Sequence, residues 1–180
     1  MNNKIRSFIA IELSDKIIQA LRDIEDSLKE KLSSIKWVKP ENIHLTIKFL
    51  GNIEPETVEN IKNILNNTAL NTRMFKIKLS KIGVFPDISR PRVLWVGLSD
   101  GFNETVDIFN KLEGKLPFHP HLTLARIKSL KEKDKFKKEV ESKTVPEIEM
   151  AVKKITLFRS KLSPKGPTYT VLHEAYFQPG

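Results

Sequence analysis

Two tetrapeptides of one pattern, a histidine, an apolar residue, a threonine and a second apolar residue, lie far apart in this 180-residue chain. They occupy residues 44–47 and 121–124, and their polar members are His44, Thr46, His121 and Thr123. Successive side chains of a β-strand alternate between its faces, whereas residues two apart on a helix point about 200° from each other. Each tetrapeptide therefore predicts a strand that shows histidine and threonine on one face and packs its apolar pair behind them.

A histidine beside a threonine in one strand is usually a structural residue, so a single copy is a weak signal. Two copies at matching positions of similar halves favour a functional role instead. If the halves pack about an approximate two-fold axis, the two strands can lie side by side. Both imidazoles then reach one cleft.

The segments around the motifs alternate between strand and helix patterns. In the first half, residues 5–13 predict a strand, Ser14 is a suitable N-cap, and residues 15–33 repeat apolar side chains at helical spacing. Strands at 37–38, 44–50 and 74–79 and a helix that begins near Pro55 follow. The second half predicts strands at 93–98 and 121–127, helices at 104–113 and 130–141, and final strands at 147–162 and 169–177 joined by a loop at 163–167.

Composition excludes several classes of function. The chain has no cysteine, which excludes disulfides, thiolate catalysis, cysteine-ligated zinc and iron–sulfur clusters. Its apolar runs fall far short of the ~18 residues of a membrane span, and its amino terminus lacks a signal-peptide core, so we expect a cytoplasmic protein without membrane contact. The formal net charge of +9 predicts nucleic acid as partner, or else reflects a solvated lysine-rich surface.

Two imidazoles in one cleft suit a reaction that moves one proton in and another out. The unperturbed pKa of histidine, ~6.5, allows one copy to act as acid and the other as base. Two threonine hydroxyls on the same surface can donate hydrogen bonds to non-bridging phosphate oxygens. The predicted catalytic residues are therefore His44, Thr46, His121 and Thr123, acting on a phosphodiester.

Further candidates for substrate binding stand near the motifs. Lys48 is in phase with His44 and Thr46, so it is predicted to face the same groove, where it either neutralises phosphate or faces water. Arg126 falls on the opposite face of a regular strand, and only a strand end or a β-bulge would turn it toward phosphate.

Arg6 and Phe8 share a face of the first strand and offer a cation and a base-stacking ring, although a core position competes for Phe8. His119 and His121 form a pair that a metal could use, but no carboxylate stands beside them. We therefore predict that His119 is a rim residue with a weak phosphate contact, and that there is no metal. His173 has no counterpart in the other half and is interpreted as structural.

The paired motifs resemble those of the 2H phosphoesterase superfamily, and other stretches are similar to its branch of RNA 2′,3′-cyclic phosphodiesterases, also called 2′-5′ RNA ligases. These stretches cover nearly the whole chain in order: residues 6–13, 37–52, 83–98, 120–126, 157–162 and 169–172. The resemblance implies an α+β fold in one bilobal domain of residues 1–180. Its two pseudo-symmetric half-lobes each hold an antiparallel-rich sheet and two helices, with the active groove between them.

The resemblance also implies hydrolysis of a terminal 2′,3′-cyclic phosphate of RNA to a 2′-phosphomonoester, without metal or cofactor, and a reverse 2′-5′ ligation. His44 is implied as proton donor to the 3′ oxygen and His121 as the base toward water, although sequence alone leaves these roles exchangeable. Tyr169 and Arg159 are weaker candidates for ligand contacts.

The expected partner is RNA with a 2′,3′-cyclic phosphate end, such as a tRNA fragment, and the expected state is a monomer. Two other functions stay open at this point. One is a non-catalytic RNA or nucleotide binder of the same fold. The other is a metal-dependent phosphohydrolase that uses His119 and His121.

Overall fold

Strands and helices alternate along the chain, as the sequence predicts. The computed structural model describes residues 3–32, 35–115, 117–164 and 166–180. The elements are β1 (Ile5–Ile11), α1 (Asp15–Lys29), β2 (Lys36–Trp37), a 3₁₀ turn (Pro40–Asn42), β3 (Leu45–Ile53), α2 (Thr57–Leu70), β4 (Phe75–Phe85), β5 (Val93–Asp100), α3 (Phe102–Lys111), β6 (Leu122–Arg126), α4 (Lys133–Ser142), β7 (Glu149–Val152), β8 (Lys154–Ser163) and β9 (Gly166–Tyr176).

One continuous antiparallel sheet joins the two motif-bearing strands. Within the described residues its order is β7-β4-β5-β6-β3-β1-β8-β9, and β2 pairs with β6. β3 and β6 meet in the middle of this order, with four of its strands on either side of their junction, and β2 is the ninth strand. The predicted α+β fold with two antiparallel halves is confirmed.

The halves of the sheet are not the halves of the chain. The C-terminal strands β8 and β9 complete the half that β1 and β3 begin, whereas β4, which ends the predicted first half, pairs with β5 and β7. The predicted strand at 147–162 is accordingly two strands, β7 and β8, which belong to different halves and are separated by Lys153.

The main hydrophobic core lies between the helices and one face of the sheet. Helix α1 begins at Asp15 because the Ser14 hydroxyl accepts a hydrogen bond from the Ile17 backbone N–H. Burial of one large apolar side chain stabilises the fold by about 1.5–3 kcal/mol. The core receives buried side chains from all the helices named above: Ile17, Leu21, Ile61, Leu65, Ile108, Phe136 and Val140.

Several element boundaries differ from the predictions. Strand β4 continues to Phe85, and α3 begins at Phe102 directly after Gly101. Gly101 has φ +75°, and a Cβ there would lie 2.5 Å from the Ile77 side chain, so only glycine fits this turn. Two predicted positions, the helix end at Ser33 and Lys165 of the last loop, lie outside the described residues. No helix in the described ranges has the length and apolar character needed to cross a membrane.

Candidate active site

The two motifs meet where β3 pairs with β6. Leu45 is the register partner of Leu122, and both side chains are fully buried in the main core. An antiparallel register at this pair sets His44 opposite Thr123 and Thr46 opposite His121. These four polar side chains, all half-buried, point to the other face of the sheet, which we call the motif face. The structure thus brings together the four residues that sequence predicts to be catalytic.

Each motif ends in a β-bulge at the same place. In β6, Thr123 pairs with Trp95 and Ala125 with Leu94, so Leu124 is an extra residue. In β3, Thr46 pairs with Ala10 and Lys48 with Ile9, so Ile47 is an extra residue. A bulge shifts the alternation of the strand by one position. The similarity between the halves therefore extends to a backbone irregularity three residues after each histidine.

The bulge at Leu124 brings Arg126 to the motif face. Leu124 and Ala125 are both fully buried, whereas Arg126 is exposed. The positive charge of Arg126 contributes to lowering the pKa of His121 and opposes the burial that raises the pKa of Tyr169. The bulge that the sequence analysis required for Arg126 is therefore present in the structure.

The bulge at Ile47 turns Lys48 away from the motif face. Its register partner Ile9 lies in the main core, and the Lys48 ammonium donates hydrogen bonds to the backbone carbonyls of Leu112 and Glu113. A cation at this position stabilises the C-terminal end of α3. The prediction that Lys48 faces the same groove as His44 is wrong, because it assumed a regular strand.

Phe49 is a motif-face residue that the sequence analysis missed. It occupies in β3 the position that Arg126 occupies in β6, five residues after the histidine, and its side chain is 67% exposed. Its register partner is Phe8, and the two ring centroids lie 6.2 Å apart. An apolar ring this exposed beside the motif is a surface on which a flat ligand can stack.

His44 is held by one hydrogen bond and two aromatic rings. Its Nδ1 lies 2.8 Å from the Asn42 carbonyl oxygen, so Nδ1 carries the proton and donates it, which leaves Nε2 for a ligand. The Phe8 ring stacks on the imidazole at 4.7 Å, and the Tyr169 ring meets it edge-on at 5.3 Å. Burial lowers the pKa of His44 to about 4, although the bond to the Asn42 carbonyl opposes this shift.

His121 repeats this arrangement with other partners. Its Nδ1 donates to the His119 carbonyl oxygen at 2.7 Å, and the Phe85 and Trp95 rings lie 5.0 and 6.2 Å away. Burial lowers the pKa of His121; the bond to the His119 carbonyl opposes this shift, and the His119 and Arg126 side chains add to it. Both histidines therefore present Nε2 and are neutral at pH 7 in the free protein.

Trp95 depends on the glycine beside it. A Cβ at Gly83 would lie 2.1 Å from the Trp95 ring, so the indole can lie flat against this strand only because position 83 has no side chain. The indole in turn packs against the exposed imidazole of His119 at 5.1 Å. His119 thus borders the site and orients His121 through its carbonyl.

The remaining candidates differ in their surroundings. Phe8 is only 3% exposed between His44 and Phe158, so its predicted role as a base-stacking surface is wrong; it supports the imidazole from below. Arg6 is exposed, and its charge opposes the burial that raises the pKa of the half-buried Tyr169.

Two residues lie apart from the histidine pair. Arg159 is exposed, and its register partner is Ser7, which alternation places on the other face from Arg6 and Phe8. The His173 Nε2 is hydrogen-bonded to Asn66 of α2 at 2.7 Å. Among the residues that the structure describes, no three histidine, aspartate or glutamate side chains lie close enough to share a metal ion.

Sequence comparison identifies the family. A model of the family described as LigT like Phosphoesterase matches residues 11–95 and 99–169. The chain belongs to this family. The family membership predicted from the paired motifs is thereby confirmed.

Named relatives of this LigT-like phosphoesterase align over almost its full length. It is 38% identical to the RNA 2′,3′-cyclic phosphodiesterase of Aquifex aeolicus, over 96% of this chain and 97% of the relative. It is 36% identical to the enzyme of the same name from Methanocaldococcus jannaschii, over 94% of this chain and 99% of the relative. The crystal structure of TT0787 of Thermus thermophilus superimposes with a TM-score of 0.81 at 26% sequence identity, over 97% of this chain and 99% of that protein.

The lowered pKa of His44 predicts a loss of stability in acid. Its pKa is about 4 in the folded protein and about 6.5 in the unfolded chain, so the unfolded state binds the proton first as the pH falls. This group alone should reduce the free energy of unfolding by about 2–3 kcal/mol between pH 7 and pH 4.5. Urea unfolding of the wild type and of His44→Gln at both pH values measures the difference. An equal acid loss in both proteins would contradict the prediction.

Proposed function

We propose that this protein is an RNA 2′,3′-cyclic phosphodiesterase, a hydrolase that opens a terminal cyclic phosphate to a 2′-phosphomonoester. The observation that carries the proposal is the pair of imidazoles on adjacent strands, each with Nδ1 bonded to the carbonyl two residues before it. Both Nε2 atoms are then available to substrate on one face of the sheet. The names of the curated relatives support the same activity.

In the proposed reaction one imidazole removes a proton from water while the other supplies a proton to the leaving oxygen. The water oxygen bonds to phosphorus, the bond from phosphorus to O3′ breaks, and the phosphate stays on O2′. We assign the donor role to His44 and the acceptor role to His121, following the family resemblance. The reverse step, attack by a 5′-hydroxyl instead of water, would give the 2′-5′ linkage.

The two lowered pKa values fit this chemistry once substrate is bound. A neutral His121 is ready to accept a proton at pH 7. A donor must instead be protonated, and the negative charge of the cyclic phosphate favours the protonated form of a nearby imidazole. We infer that His44 gains its proton in the complex with substrate. The pH dependence of kcat, which reports the complex, should therefore be bell-shaped.

Other side chains on the motif face complete the proposed site. Thr46 and Thr123 donate to the non-bridging phosphate oxygens, and the Arg126 guanidinium neutralises the charge that develops on them. The exposed ring of Phe49 offers a stacking surface for the terminal nucleobase. Arg6, Tyr169 and His119 remain proposed contacts at the border of the site.

The wider setting of this activity is also a proposal. The partner is RNA with a cyclic phosphate end, such as a tRNA fragment, and the protein acts as a monomeric single domain of residues 1–180 in the cytoplasm. We propose that neither metal nor cofactor takes part, because the proton transfers need only the two imidazoles.

One incubation tests the proposal. A short RNA that ends in a 2′,3′-cyclic phosphate is treated with the protein with and without exhaustive chelation, and the position of the product phosphate is determined. A 2′-phosphate at equal rates in both arms is expected. Loss of activity on chelation would favour the metal-dependent phosphohydrolase, and binding without turnover would favour the non-catalytic binder.

A further inference from the structure

Four cationic side chains cluster at the end of β6 that lies beyond the motif. Arg126 has Lys36 of β2 as register partner on one side and Val93 of β5 on the other. Arg92 precedes Val93, and its Nη1 donates to the Lys128 carbonyl oxygen at 2.8 Å. We call Lys36, Arg92, Arg126 and Lys128 the basic rim.

The basic rim is exposed and unneutralised. All four residues are exposed, and Lys36 shares the motif face with Arg126 because register partners in an antiparallel pair point to the same side. Within the described part of the chain, no carboxylate lies within ion-pair distance of them. Asp87, on the loop just before Arg92, accepts hydrogen bonds from Ser89 and Arg90 instead. Unpaired surface cations this close together attract a polyanion.

The other half of the sheet has different chemistry at the equivalent place. Five residues after His44 stands the exposed ring of Phe49, where the basic half has Arg126. A surface with an aromatic ring on one side and a cluster of cations on the other matches single-stranded RNA, which offers flat bases and a charged backbone. This asymmetry between the two halves also sets the direction in which an RNA strand crosses the site.

We propose that Lys36, Arg92 and Lys128 of the basic rim bind the phosphate backbone of the RNA upstream of the cyclic phosphate, which Arg126 contacts. The terminal base then lies on the Phe49 side, and the rest of the strand leaves over β6, β5 and β2. This inference rests on the proposed function and deepens it. The protein recognises a polynucleotide, and the rim residues other than Arg126 contribute nothing to a substrate that consists of one nucleotide.

The test compares one cyclic mononucleotide with one oligonucleotide. The substrates are 2′,3′-cyclic AMP and an RNA of about ten nucleotides with a cyclic phosphate end. The variant is Lys36→Ala with Arg92→Ala. The matched control removes one lysine and one arginine from the exposed side of α1, Lys16→Ala with Arg22→Ala, because the helices pack on the other face of the sheet.

For the rim variant we expect kcat/KM on the oligonucleotide to fall roughly tenfold while turnover of cyclic AMP stays unchanged. The slope of log affinity against log salt should become less negative by about 1.4, since each lost phosphate contact on a single strand contributes about 0.7. The charge-preserving variant Lys36→Arg with Arg92→Lys should keep the oligonucleotide activity. The α1 control should behave as wild type on both substrates.

Two results would overturn the proposal: an equal loss on both substrates, or an oligonucleotide activity and salt slope that match the wild type. A wild-type protein that hydrolyses neither substrate would instead refute the proposed function. In that case fluorescence anisotropy of the labelled oligonucleotide tests the rim with the same variants. Unchanged affinity in the rim variant would then refute it.

Discussion

Replacement of His44 or of His121 by Ala is expected to lower kcat on RNA with a cyclic phosphate end by roughly 10²–10⁴, the usual contribution of a positioned general acid or base. Each imidazole presents Nε2 to the motif face because its Nδ1 is bonded to a backbone carbonyl, so the alanine variant loses the one nitrogen of that ring that can exchange a proton with substrate. Single-turnover rates at saturating protein measure the chemical step directly.

The control for this prediction is His173→Ala, which removes a histidine that is bonded to Asn66 of α2. It should keep the wild-type rate. Thermal unfolding of all three variants separates lost chemistry from lost structure. The double variant without His44 and His121 should be hardly slower than the worse single variant, since an acid and a base that act together do not contribute additively. Retention of more than about a tenth of the rate in either single variant would refute the assigned roles.

Arg126→Ala should reduce activity, whereas Lys48→Ala should reduce stability. A regular strand, without the bulges, would predict the reverse. Loss of a charge-assisted hydrogen bond costs about 1.5–3 kcal/mol, so Arg126→Ala should lower kcat/KM by about 10- to 150-fold. Lys48→Ala should leave kcat/KM within about twofold and lower the Tm by about 1–4 °C, because Lys48 stabilises the C-terminal end of α3.

Steady-state kinetics and thermal unfolding of the two variants measure this contrast. Arg126→Lys serves as a further variant, since it keeps the charge but loses the guanidinium fork, and its activity should lie between those of wild type and Arg126→Ala. If Lys48→Ala were the slower enzyme and Arg126→Ala the less stable protein, the placement of Arg126 on the motif face and of Lys48 at the end of α3 would be refuted.

Local sequence patterns correctly predicted the helix and strand features that depend only on neighbouring residues. The helical spacing of Ile17, Leu21 and Ile24 and the cap at Ser14 are properties of one short segment, and α1 forms as they predict. The two His-x-Thr-x repeats likewise predict two strands with matching faces, and β3 and β6 present them in that way.

Pairing between strands determined the side-chain faces and strand partners that these local patterns could not predict. The bulges at Ile47 and Leu124 exist because β1 and β5 pair with these strands across a shifted register, and a single strand's sequence does not show its partners. For this reason Lys48 and Arg126 exchange the faces predicted for them, and Phe49 enters the site unforeseen. The same cause divides the predicted strand 147–162, whose two parts find partners in different halves of the sheet.

The sequence alone thus determined the helices, most of the strands and the four motif side chains, because these follow from residue type and local periodicity, and the resemblance of the paired motifs indicated the family. The tertiary structure alone decided which cation lies on the motif face with the histidines, which ring packs against His44 and which ring is exposed beside them. Those outcomes depend on long-range register, where a shift of one residue moves a side chain to the opposite face of the sheet.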